Sequence, residues 1–290
     1  MPPEQAQGTS STLWIGTGLA VALGETLTQG GVPTVAFEDL RSYYDQAGLV
    51  ESPSFTLASQ LGLARQIGAG VLVAGTYEVT GESVSVNLKA LSTAGDLTQL
   101  ASFKETQNLQ ELLALTRKLS EDLAKALGRS WAPPVAVSPQ AFESYIRGRI
   151  STDPTLQEVY FRKALEIVKE YHDASCCLAL VLKSTGRITE STALLVELEK
   201  KTYSKAYLGL LMLAEIRMDQ GRLPEARKLL LASLKASESA EGHMGLANWY
   251  ARQNKTKEAL TELVVAERFG THQGDIDALR RQIQEAQSPK

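Results

Sequence analysis

The sequence predicts two architectures in one chain: an α/β domain with a mixed sheet, a β-meander and flanking helices, then an all-α superhelix, an α-solenoid. Three observations carry this. The phrase "GRLPEA" at 221–226 has cousins, "GRITES" from Gly186 and "NKTKEA" from Asn254, 35 and 33 positions away. Residues 71–105 read as three strands separated by tight turns. The stretch "WAPPVAVSP" at 131–139 holds three prolines in nine residues; proline removes backbone donors and disfavours helix in the residue before it. The organisation expected is an α/β domain over 1–130, a Pro-rich linker over 131–140, and helical repeats over 141–290.

In the first domain, 13–29 reads as an amphipathic helix, with Leu19, Leu23 and Leu27 on one side. Gly30 and Gly31 stop it, and 32–37 reads as a short strand. A short helix is expected over 38–47 and a longer one over 56–67. "VLVAGTYEV" at 71–79 is a continuous β-branched run, the mark of a buried strand. "TGE" turns the chain, and "SVSVNLKAL" alternates Val84, Val86 and Leu88 with polar partners, as a half-buried strand does. "STAGD" turns again into a strand over 97–105. Residues 109–127 form an amphipathic helix ending at Gly128.

The second domain is helical throughout. With Gly186, Gly221 and Asn254 aligned, Leu178-Ala179, Leu213-Ala214 and Leu246-Ala247 stand at one common offset. Arg187, Arg222 and Lys255 coincide, as do Glu190, Glu225 and Glu258, then Ser191, Ala226 and Ala259, then Leu195, Leu230 and Leu263. A period near 34 of this kind signals paired helices stacked in series. Small residues let the two helices of a pair approach closely, and Gly or Asn takes the left-handed cap after the first helix. The repeated phrase is therefore the turn inside each helical hairpin. An earlier unit fits in register with helices over 141–149 and 157–168, and a polar-faced capping helix is expected over 275–286.

Bulk composition excludes several functions. The chain of 290 residues is 43% hydrophobic and 22% charged, with a formal net charge of −3. That balance argues against general affinity for nucleic acid or anionic membrane, while leaving room for local basic patches. No apolar run approaches the roughly 18 residues of a membrane span. "MPPEQAQGTS" has neither the basic start nor the apolar core of a secretory signal. Cys176 and Cys177 are adjacent and read as thiols in or beside a helix core; without clustered histidines they make no zinc site. "GTG" at 16–18 lacks the third glycine and the preceding strand of a dinucleotide fingerprint, so a turn at the helix start is expected. His172, His243 and His272 fall in separate repeats with no acid or cysteine spaced to form a triad or metal site. No catalytic constellation, cofactor site or metal site is expected.

The repeated residues resemble the tetratricopeptide repeat. The first half is similar, more loosely, to the TolB N-terminal, CsgG and FlgO-like domains of bacterial envelope proteins. Three phrases carry that likeness: "WIGTGLAVALGETLTQ", "VPTVAFEDL" and "LARQIGAGVLVAGTYEVTGESVSVNLKALSTAGD". That family opens with an apolar strand, which residues 1–12 do not supply, so either the strand was trimmed or the sheet has an exposed edge. The resemblance implies a bacterial, periplasmic or envelope-associated protein, with a cytoplasmic setting as the alternative. It also implies a protein or peptide partner bound in a groove lined by first helices: Phe142, Ile146, Arg149, Cys176, Leu180, Lys183, Leu211, Met212, Glu215, Met218, Met244, Asn248 and Arg252. Some of the apolar members serve instead to pack neighbouring repeats. The function expected is a non-enzymatic adaptor. The alternative is a structural subunit of an envelope or secretion assembly that oligomerises through its N-terminal domain.

Overall fold

A computed structural model describes residues 4–5, 14–35, 37, 40, 43, 56–95, 98–132, 137–201, 203, 205–269 and 272–286. They fall into two compact units, Met1–Lys169 and Glu170–Lys290.

The first unit is built on a sheet. Strands β2 (Val71–Thr80), β3 (Ser83–Ser92) and β4 (Gln99–Asn108) form an antiparallel meander. The two residues of β1 (Glu4–Gln5) add a parallel bridge to β2, which makes the sheet mixed. Register between β2 and β3 runs without a break from Val71↔Ser92 to Thr80↔Ser83. It slips once between β3 and β4, where Ala90 faces Ala101 and Leu91 faces Gln99. The extra residue is Leu100, which is left 43% exposed. Because alternate strand residues point to opposite faces, Tyr77, Val84, Val86 and Leu88 share one face. That face is covered by α1 (Trp14–Gln29) and α3 (Leu112–Ala126) through Ile15, Leu19, Leu23, Leu112, Leu115 and Leu119. Helix α2 (Leu57–Gln66) sits on the other face, where Leu61 and Ala64 meet Leu72. Arg65 of α2 donates to the carbonyls of Thr93 and Gly95, holding the turn between β3 and β4. Beyond Leu72 this second face carries Thr76, Glu78, Lys89 and Lys104, all exposed.

One expectation needs revision here. Residues 32–35 are not a strand. Pro33 offers no backbone donor, and Val32 instead buries its side chain against Leu27, Leu123 and Ala90. The helix expected over 38–47 lies largely outside the described residues. Trp131, the first residue of the Pro-rich stretch, packs over Gly30, where an added Cβ would lie 2.1 Å from the indole. The unit also contains α4 (Pro139–Ile150) and α5 (Pro154–Ile167), a helical hairpin in which Phe161 fills the space above Gly148.

Three further hairpins and a last helix make the second unit: α6 (His172–Ser184) with α7 (Ile188–Leu198), α8 (Ala206–Asp219) with α9 (Leu223–Ala236), α10 (Ala240–Ala251) with α11 (Thr256–Glu267), then α12 (Gln273–Glu285). Consecutive first helices touch, α6 with α8, α8 with α10 and α10 with α12. The turns inside the hairpins are alike. Gly186, Gly221 and Asn254 have φ of 81°, 73° and 58°. Arg187 donates its N–H to the Leu182 carbonyl at 2.8 Å, Arg222 to Arg217 at 2.8 Å and Lys255 to Tyr250 at 3.0 Å. This six-to-one bond defines the Schellman cap. Each turn is then followed by a fully buried small residue, Ser191, Ala226 or Ala259, facing Ala179, Ala214 or Ala247, all at 0% exposure.

Ala226→Leu adds bulk where two helices meet, and Gly221→Ala forces a Cβ into left-handed backbone. We expect losses of about 1–3 kcal/mol for the first and about 1 kcal/mol for the second, read as shifts in urea unfolding midpoint at constant slope.

Candidate functional site

The residues expected to line a groove divide sharply by burial. Phe142, Ile146, Cys176, Leu211, Met212 and Met218 are 5% exposed or less. They are interior packing residues, a correction to the groove reading. The reason is geometric. A middle first helix such as α8 is touched by α6, α7, α9 and α10. Its sequence is apolar on nearly every side, so almost all of its surface is taken by neighbours.

A narrow stripe of first-helix surface stays open, and it is mostly polar. Leu180 is 43% exposed. Lys183 on α6 is ion-paired with Glu215 on α8. Arg252, just past α10, reaches Asp219 at the end of α8 at 2.7 Å, and its Nε lies 3.5 Å from Asn248 Oδ1. Met244 is half-buried among Ala247, Leu260 and Ile276. The structure thus joins Lys183 with Glu215 and Asn248 with Arg252, and adds Asp219, which the sequence reading missed. The spacing of 33 residues between Asp219 and Arg252, one repeat, is the signal that finds it.

Arg149 is not an open anion receptor. Its guanidinium sits 2.6 Å from Glu25 on α1 and 2.7 Å from the Tyr145 hydroxyl. Tyr145 also donates to Glu25 at 2.8 Å. The arginine's acid is supplied from within its own unit.

Potential reactive groups are locked in place. Asp173 accepts the Lys205 backbone N–H at 3.1 Å, tying the start of α6 to the start of α8. Beside them Cys176 is fully buried. Burial pushes its thiol far above the ordinary range. Burial likewise raises the Tyr203 phenol, with the Cys176 thiol adding to the effect. A protonated, sealed thiol is not a nucleophile. Gly209 leaves room for that phenol; a Cβ there would stand 2.1 Å from Tyr203 Oη.

Histidines find acids that sequence spacing did not reveal. His243 lies between Glu262, 2.7 Å from Nδ1, and Glu238, 3.0 Å from Nε2. His272 Nε2 is 3.2 Å from Glu241. Burial is the strongest single influence and works to raise the Glu241 carboxyl, but hydrogen bonds from His272, the backbone and Ser239, with the His272 charge, together hold the group below its usual range. No cluster of three or more metal-ligating side chains occurs among the described residues. The "GTG" glycines lie inside α1 and not in a turn before it. Gly18 permits close approach to α4, since a Cβ would meet Ile146 at 2.9 Å.

No protein-family model matches the sequence, and no curated protein matches it.

Glu25→Ala strands the buried Arg149 charge, and we expect the first unit to lose about 3 kcal/mol, measured by urea unfolding. Thiol titration gives a second test. Cys176 stays silent toward a disulfide reagent at pH 8 in the native protein and reacts fully once denaturant is added.

Proposed function

We propose that this chain is a non-enzymatic adaptor. Its helical hairpins act as a tetratricopeptide-type α-solenoid that recruits a protein partner, and its α/β unit serves as a TolB- or CsgG-like module in a bacterial envelope setting. One observation carries the reading: three hairpins share one turn, one set of small contacts and one register, with their first helices laid side by side. Open solenoid surfaces of this kind suit extended protein segments. The first-helix stripe of Leu180, Lys183, Glu215, Asn248 and Arg252 supplies an aliphatic contact flanked by paired charges that fix register. Burial of Leu211 and Met212 means the stripe recognises its partner mainly by polar complementarity.

A second reading has its own observation. Among the described residues β4 bonds to β3 on one side only. A ten-residue edge strand offers unpaired backbone groups to another copy of itself,. On that reading the chain is a structural subunit assembled through its α/β unit.

Leu180→Asp combined with Arg252→Glu changes only exposed side chains, so the fold persists. Affinity capture from a lysate of the source organism is expected to lose its main partner. An unchanged capture profile rejects the first-helix stripe, and a stable ring-sized mass by light scattering favours the structural subunit.

A further inference from the structure

The second helices carry a pattern that hairpin formation does not require. Take Gly186, Gly221 and Asn254 as position zero of each hairpin. Position ten is then Val196, Leu231 and Val264. These are 45%, 44% and 49% exposed, although the residue before each, Leu195, Leu230 or Leu263, is exposed by 1% or less. Position fourteen is basic every time, Lys200, Lys235 and Arg268, and all three are exposed.

At about 100° per residue, positions three, seven and ten fall within about 60° of arc, opposite the buried side of the helix. Lys235 at position fourteen of α9 falls in the same arc, while Lys200 and Arg268 stand just past the ends of α7 and α11. Lys228 and Lys257 occupy two more of these positions, and no carboxylate occupies any. Among the described residues none of these five cations is ion-paired. Several other cations on the same hairpins are paired with acids, Arg187 with Glu190, Arg222 with Glu225, Lys183 with Glu215 and Arg252 with Asp219, while Arg227 and Lys255 lie over the Trp249 ring. Attraction to a helix C-terminus accounts for position fourteen. It does not account for Lys257 in the first turn of α11, where a cation is disfavoured, nor for an aliphatic side chain held in solvent three times. Beside Val196 the surface is dished, an open depression of 490 Å³ lined by Ile188, Thr192, Ala193 and Gln220, with one carboxylate, Glu197, at its side.

We infer that the outer face of the three second helices binds an acidic amphipathic protein segment, whose aliphatic residues pack on Val196, Leu231 and Val264 while its carboxylates meet the flanking cations. The charge pattern selects an acidic ligand. Recurrent aliphatics select one with an apolar stripe of its own. An anionic membrane fits less well, because the interfacial aromatics that anchor such surfaces are missing from these positions. Single-stranded nucleic acid fits less well for want of stacking rings. Neighbouring hairpins stand on the order of 10 Å apart, about seven residues along a helical ligand. The inference rests on the common register of the hairpins and does not require the first-helix stripe.

The probe is a fluorescein-labelled peptide of three Leu-Glu-Glu-Leu-Ala-Glu-Glu heptads, titrated with the full chain at low salt and followed by anisotropy. Saturable binding is expected, weakening as salt is raised. Val196→Ser, Leu231→Ser and Val264→Ser together should weaken it about tenfold. Lys200→Glu, Lys235→Glu and Arg268→Glu together should weaken it at least about tenfold, with circular dichroism unchanged in both triple variants. Leu180→Asp leaves this binding intact, so failure of the first-helix stripe and failure of the outer face are told apart. The inference is overturned if the peptide does not bind, or if the charge reversals leave binding unchanged. It is equally overturned if polyglutamate, phosphatidylglycerol vesicles or oligothymidylate bind as tightly as the peptide.

Discussion

The second unit depends on two helices meeting at a residue too small to keep them apart. Ala179, Ala214 and Ala247 on the first helices oppose Ser191, Ala226 and Ala259 on the second, and none exposes any surface. Where the small residue is serine, its hydroxyl has to be satisfied. Ser191 donates to the Ala179 carbonyl at 2.8 Å, and Ser233, further along α9, donates to the Tyr207 carbonyl at 2.7 Å. These bonds cross from helix to helix, so they fix axial position as well as distance. Leu195, Leu230 and Leu263 are then buried between the helices, and close filling is what gives a core a single arrangement. A larger side chain at the small position would push the helices apart and open that space.

Interhelix spacing also determines where charges meet. With first helices side by side, residues one repeat apart become neighbours, which brings Lys183 to Glu215 and Asp219 to Arg252. Lys255 in the third turn lies over the Trp249 ring, whereas within the first two turns the cap sets Arg187 against Glu190 and Arg222 against Glu225, both at 2.6 Å. The recurring basic residue and the recurring glutamate of the repeat phrase are thus one i,i+3 pair at the start of each of these second helices, where the acid also faces the favourable end of the helix dipole. Exposed pairs of this kind contribute little stability. Their effect is to neutralise cations on the first-helix side and in the first two turns, while the cations of the outer column carry no ion pair among the described residues.

Local signals made most elements legible in the sequence. Alternation at Val84, Val86 and Leu88, the β-branched run from Val71, and the glycines at 128, 186 and 221 all mark features that occur where expected, because each depends on a few adjacent residues. The misreading at 32–35 came from a β-branched pattern with a proline inside it and no partner strand to bond. Burial of the groove positions was harder to foresee. On α8, "AYLGLLMLAEIRMD", nearly every side is apolar, and periodicity cannot say which side a neighbour covers. Long-range partners were invisible for a related reason. Glu25 lies 124 residues from Arg149, and no spacing rule reaches that far.

Burial on the first-helix side bears directly on how such a unit can bind anything. An apolar groove needs side chains that are free before the partner arrives, and here most apolar groups are already committed to neighbouring helices. Leu180 is the exception on that side. A ligand docking there must therefore compete with, or insert beside, the Lys183–Glu215 and Asp219–Arg252 pairs, exchanging one set of charge contacts for another at little net gain. The outer column faces no such competition. Its aliphatic side chains are already in water and, among the described residues, its cations are not ion-paired, so contact with an acidic apolar segment removes exposed hydrophobic surface and adds new charge pairs together. Of the two surfaces, the one turned away from the first helices starts from the less satisfied state and has more free energy to release on binding.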